Sequence, residues 1–193
     1  MINYIENMFR DSIDAHKKFA LDGAQIIEDM AKIISDCFLR GNKLLICGNG
    51  GSAADSQHIA AEFASRFVME RPPLPAIALT TDTSLLTAVG NDYDFSCVFE
   101  KQVAALANEG DVVWGISTSG NSENVIKGLQ KAIKSDAITI GFAGRNGGKM
   151  NGLCDKLLIV DDNSTARIQE IHIMSAHIIC GLVDEIMFGQ FAG

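Results

Sequence analysis

Lys43-Leu44-Leu45-Ile46-Cys47-Gly48-Asn49-Gly50-Gly51-Ser52-Ala53 sets a short apolar run directly against a glycine-rich turn, and a helical pattern follows from about Ala53 to Phe67. An uninterrupted apolar run of this length reads as a strand buried on both faces. The same unit recurs downstream. Ala76–Leu79 reads as a second strand bounded by prolines, Val112–Ile116 as a third, and Ala137–Phe142 and Lys156–Val160 as two more. Helical patterns occupy Phe95–Ala107, Glu123–Lys134 and Ala166–Met187. Upstream, residues 3–20 and 24–40 read as helices; Ile26, Ile27, Met30, Ile33, Ile34, Cys37 and Phe38 fall at helical spacing, and Gly41 is placed to stop the second. Short apolar strands alternating with helices predict an α/β fold with a parallel sheet covered on both faces. Ligands of such folds bind beyond the carboxyl ends of the strands. The last helix is apolar on more than one face, which suits a central position or an oligomer interface.

Length and composition fit this picture. The 193 residues suffice for one well-buried domain, and hydrophobic residues make up 47% against 21% charged, as in ordinary globular proteins. Net charge is −8, so the surface repels nucleic acid, and an anionic ligand needs a local device to hold it. Cys37, Cys47, Cys97, Cys154 and Cys180 are odd in number and scattered without a C-x-x-C pair. They read as reduced, mostly buried thiols. The N-terminus has no signal-peptide pattern, and no stretch approaches the ~18 uncharged apolar residues of a membrane span. The expectation is a cytoplasmic protein with no nucleic-acid or membrane partner.

Two loops carry the unusual chemistry. Gly48-Asn49-Gly50-Gly51-Ser52-Ala53 matches G-x-G-x-x-A between strand and helix, so a dinucleotide site comes under consideration, with Asp82 as the ribose-binding acid. Asp82 lies farther from the loop than the ~20 residues of that pattern, which weakens the reading. Close packing of strand on helix is a second reading, and backbone amides approaching a polar ligand a third, favoured one. Ser117-Thr118-Ser119-Gly120-Asn121-Ser122 places four hydroxyls and a glycine before a helix. One cap residue satisfies a helix N-terminus. Four hydroxyls beside free amides and a positive dipole end suit a phosphate.

Further along, His58 and Glu62 are four apart and share a helix face. Taken alone, such a pair is an ordinary surface ion pair. The last helix offers Gln169, His172 and His177. His177 is roughly 80° round from Gln169 and ~12 Å along the axis, so the two do not converge on one point without long reaches or a second subunit. Residue chemistry leaves their role open.

Taken together, Cys47-Gly48-Asn49-Gly50-Gly51-Ser52, Gly90-Asn91-Asp92, Gly115-Ile116-Ser117-Thr118-Ser119-Gly120-Asn121-Ser122 and Arg167-Ile168-Gln169-Glu170-Ile171-His172 resemble the phosphoheptose isomerases of the sugar isomerase (SIS) superfamily. The resemblance runs over nearly the whole chain. It implies a single SIS domain over 1–193: a three-layer, flavodoxin-like α/β/α core at 42–193 with a five-stranded parallel sheet, and a helical segment at 1–41 used in oligomerisation. It implies conversion of sedoheptulose 7-phosphate to glycero-manno-heptose 7-phosphate, the first step toward the heptose of bacterial surface polysaccharides, in a homotetramer with active sites between subunits. Carried onto this sequence, the phosphate falls to Ser117, Thr118, Ser119 and Ser122, and the sugar to Asn49, Gly50, Gly51, Asn91 and Asp92, with Glu62 and Gln169 also at the substrate. Glu62 takes the part of base and His177 of acid. One zinc ion per subunit falls to His58, Glu62, Gln169 and His177.

The sequence is also similar to a non-enzymatic relative, the replication initiator-associating adaptor, in its Gly-Asn-Gly loop, its Leu74–Leu79 segment and Ala166–Glu170. Ala166 departs from the aspartate expected there in isomerases, and Ser52-Ala53-Ala54 leans the same way. The adaptor lacks counterparts of Glu62 and His177, and their presence here favours the enzyme.

Overall fold

The computed structural model describes residues 1–189. Helices α1 (Ile2–Asp22) and α2 (Ala24–Leu39) precede the alternating part: β1 (Leu44–Gly48), α3 (Gly51–Ala64), β2 (Ala76–Ala78), α4 (Thr83–Asp92), α5 (Val98–Leu106), β3 (Val112–Ser117), α6 (Glu123–Ile133), β4 (Ile138–Gly144), β5 (Lys156–Val160) and α7 (Thr165–Phe188). The five strands pair in the order β2-β1-β3-β4-β5, every pair parallel. The chain leaves β1 toward one edge and β3 toward the other, so the loops after β1 and β3 flank the point where the winding reverses. Those are the glycine loop and the serine loop.

Strand periodicity divides the core between the two faces. Leu44, Ile46, Val112, Trp114, Ile116, Ile140 and Phe142 pack under α2, α3 and α7, with Met30, Ile34, Ile59, Phe63, Ile171 and Ile179. Leu45, Cys47, Val113 and Ala143 face the other way, against Val98 and Val103 of α5 and Val125 and Leu129 of α6. Both faces of the central strands β1, β3 and β4 are covered, which is why those strands carry no polar alternation.

Most elements fall where the sequence places them; β5 has the same bounds. Helix α4 is the exception, unread because none of its residues is buried and it has no strong apolar stripe. Asp82 is its N-cap, accepting from the Leu85 amide at 2.9 Å, so that carboxylate is engaged as a cap and not as a ribose ligand. The segment read as one helix from Phe95 begins as a 3₁₀ turn over Phe95–Cys97. Helix α7 is long and apolar enough to cross a membrane by length and composition, contrary to the sequence reading. Its apolarity comes from core packing: Ile168, Ile171, Ala176, Ile179 and Val183 are buried against α2 and the sheet. Helix α1 buries no residue and leaves Ile2, Tyr4, Ile5, Phe9 and Ile13 exposed. It is held by Ala15 and Phe19, which pack against the core, and by polar contacts, with Arg167 Nη1 donating to Met8 O at 2.7 Å and Ser12 Oγ to Glu170 Oε2 at 2.8 Å.

Candidate active site

The serine loop closes on itself. Ser117 Oγ lies 2.8 Å from Ser122 Oγ and 3.4 Å from Ser119 Oγ. Ser122 occupies the N-cap of α6, yet its side chain makes no cap bond. Its hydroxyl turns to Ser117 instead, so the serines do more than end a helix. The loop is braced by the turn after β4. Gly120 has φ +64, and a Cβ there would collide with the carbonyl of Gly147. Asn121 Oδ1 accepts from Lys149 N at 3.1 Å, and Gly120 O from Met150 N at 3.1 Å.

An amide pair links the two loops. Asn49 Nδ2 donates to Asn124 Oδ1 and Asn124 Nδ2 to Asn49 Oδ1, both at 2.8 Å, and Asn124 is buried. The Asn49 carboxamide, assigned to the sugar by resemblance, therefore spends one donor and one acceptor on α6. At Gly51 a Cβ would come within 2.5 Å of the Gln169 amide, so glycine leaves the room in which that side chain lies against the start of α3. Asn91 and Asp92 end the exposed α4, where Asn91 Nδ2 donates to Asp92 Oδ1 at 2.8 Å.

The seam between α3 and α7 gathers the ionisable groups. His58 Nε2 and His177 Nε2 are 2.9 Å apart, and His58 Nε2 lies 3.4 Å from Glu62 Oε1. One ring must offer N–H and the other a lone pair across that contact. The ring of Phe67 stacks on His177 with centroids 5.5 Å apart, which orients the imidazole. Gln169 does not join this group. Its Nε2 donates to both oxygens of Asp55, at 3.3 and 3.1 Å. Asp55 and His58 are three apart on α3 and Gln169 and His177 eight apart on α7, so the side chains meet in two tiers, as the separation along α7 requires.

Asp55 was not singled out from the sequence, although Asp55, His58 and Glu62 fall at helical spacing on one face. Burial raises its pKa above the usual carboxylate value, opposed by the Gln169 hydrogen bond and by the neighbouring His58 and His177. His172 takes no part: it is fully buried, within bonding distance of Ala143 O at 3.1 Å.

Among the described residues no three His, Cys, Asp or Glu side chains form a preformed metal cage. Two imidazoles and a carboxylate, with His58 Nε2 2.9 Å from His177 Nε2 and 3.4 Å from Glu62 Oε1, are nevertheless donor types that suit zinc. The side chain of His58 is 49% exposed and that of Glu62 21%, so the seam opens to the surface of the single chain.

Residues 8–144 match the SIS domain family. The chain is 58% identical over 165 residues to a phosphoheptose isomerase of Nitratidesulfovibrio vulgaris, covering 86% of this chain and 79% of that one. It is 50% identical over 192 residues to one from Clostridium acetobutylicum, covering 98% of each. The solved phosphoheptose isomerase of Neisseria gonorrhoeae superposes with a TM-score of 0.91 at 45% identity, over 95% of this chain and 98% of that one. The chain belongs to the SIS domain family and, within it, to the phosphoheptose isomerases, enzymes that isomerise a sugar phosphate.

Proposed function

We propose that the chain interconverts sedoheptulose 7-phosphate and glycero-manno-heptose 7-phosphate, the entry step to the heptose of bacterial surface glycans, in the cytoplasm. The observation that carries this reading is the meeting of His58, Glu62 and His177 on the α3–α7 seam. A ketose–aldose isomerisation moves a proton between C1 and C2 through an enediol and needs a base at carbon and an acid at oxygen. Glu62 is the base in this reading and His177 the acid that serves the carbonyl and hydroxyl oxygens. Ser117, Thr118, Ser119 and Ser122 hold the phosphate at the start of α6, where open amides and the helix dipole favour an anion without a fixed cation. Asn49, Gly50, Gly51, Asn91, Asp92 and Gln169 line the sugar between the two ends.

His58, Glu62, Gln169 and His177 would hold a zinc ion, with Gln169 turning from Asp55 to join them. Such an ion would polarise the sugar carbonyl and stabilise the developing oxyanion. A carboxylate that binds metal tightly is a weaker base, so the two roles of Glu62 compete.

The exposed apolar face of α1 and the open seam support assembly into a homotetramer, with the segment 1–41 in the interface and active sites between subunits. The test is turnover of sedoheptulose 7-phosphate by purified protein, with its zinc content measured. Glu62→Gln and His177→Ala should each lower kcat by about 10²–10⁴-fold and leave the oligomer intact. Wild-type turnover in either variant, or none in the zinc-supplied parent, refutes the reading.

A further inference from the structure

We propose that Arg71 is a positioning residue for the chemical step: its guanidinium fixes the last turn of α3, and with it Glu62, against the helix that carries His177. The inference rests on the reading of Glu62 as the base.

Helix α3 ends at Ala64, and its last carbonyls have no partners within the helix. Arg71 returns from the following loop to satisfy them. Nη2 donates to Glu62 O at 2.9 Å, and Nη1 to Phe63 O at 2.7 Å and Ser65 O at 3.1 Å. Nε donates to Asp184 Oδ1 at 2.8 Å, and the two side chains are 1% and 4% exposed. Asp184 lies seven residues after His177, two turns along the same face of α7. The guanidinium therefore joins the backbone of Glu62 to the face of α7 that presents His177. Stability alone is a weak account of this arrangement, because apolar residues of similar volume often replace a buried Arg–Asp pair at no cost. Lysine could not reproduce it. An ammonium meets one or two acceptors, whereas the planar fork spans the three carbonyls at the end of α3, that of Pro72 and a carboxylate together.

Arg71→Lys keeps a cation opposite Asp184 and loses the fork. Its kcat for sedoheptulose 7-phosphate should fall on the order of tenfold to a hundredfold, since small misplacements of a reacting group cost that much. KM should stay within about twofold, because the phosphate loop is untouched. Amide hydrogen exchange should quicken at residues 62–66 and not in the serine loop or strands. Acting through Glu62, the substitution should add little to the residual rate of Glu62→Gln in a double-variant cycle. Unchanged kcat, full additivity in the cycle, or faster exchange throughout the chain overturns the proposal. Should Arg71→Lys fail to fold, Asp184→Asn enters the same cycle under the same criteria. Glu62→Gln by itself reports on the underlying reading. Wild-type turnover there removes the base assignment, whereas an impaired Glu62→Gln beside a fully active Arg71→Lys removes only the positioning role.

Discussion

His172 makes stability depend on pH in a way that can be calculated and tested. Its ring is fully buried against Phe142 of β4, near Ala143 O, and burial lowers its pKa from 6.5 to about 4. The folded state thus resists protonation while the unfolded chain accepts it. Above pH 6.5 both states are neutral at this position and folding carries no penalty. As pH falls from 6.5 toward 4, the unfolded chain binds the extra proton and stability is lost. The linkage relation gives a loss on the order of 1 kcal/mol at pH 5.5 and of 2–3 kcal/mol at pH 4.5. Urea unfolding at fixed protein concentration, with wild type compared to His172→Phe, isolates this group, because other titrations cancel in the difference. Phenylalanine keeps the ring contact with Phe142 and gives up the hydrogen bond to Ala143 O, so the variant should be less stable at pH 7.5 by about 1–3 kcal/mol. The gap should narrow by about 2–3 kcal/mol at pH 4.5. Curves that run parallel over this range would show that the ring is neither buried nor neutral in the way described.

Other perturbations act on the site. Gly120→Ala forces a side chain into a left-handed backbone and against the Gly147 carbonyl; it should cost at least about 1 kcal/mol in thermal unfolding and raise KM about tenfold or more. Gly51→Ala meets only the flexible end of Gln169, so unfolding should change by less than about 1 kcal/mol. The displaced amide should nevertheless lower kcat about tenfold, and an equal kcat would show that the Gln169 position is idle. Asn124→Asp opposes the Asn49 carbonyl with a carboxylate in a buried setting, and should destabilise the fold by about 1–3 kcal/mol by denaturant titration.

The sheet was legible because its central strands are covered on both faces: Val112–Ile116 is apolar and buried at every position. The serine loop was legible from hydroxyl density alone. Helix α4 was not, since it buries nothing and its start is marked by a single cap, Asp82. Proximity across the fold was the other gap. His177 and His172 look alike in sequence, yet one meets His58 and the other faces Ala143. The Asn49–Asn124 pair spans 75 residues and the Arg71–Asp184 pair 113, and no local pattern encodes either. Asp55 is the one omission that helical spacing from His58 and Glu62 was enough to find.

The bracing of the serine loop by the turn after β4 has a practical consequence. Gly120, Asn121 and their partners Gly147, Lys149 and Met150 interlock through backbone atoms and the Asn121 carboxamide, so the loop's shape is held from a segment more than two dozen residues away. The hydroxyl hexapeptide is therefore not a portable module. Grafted onto another α/β scaffold without the Arg145–Met150 turn, it would carry the donors and lose the preorganisation that anion binding in the proposed role requires.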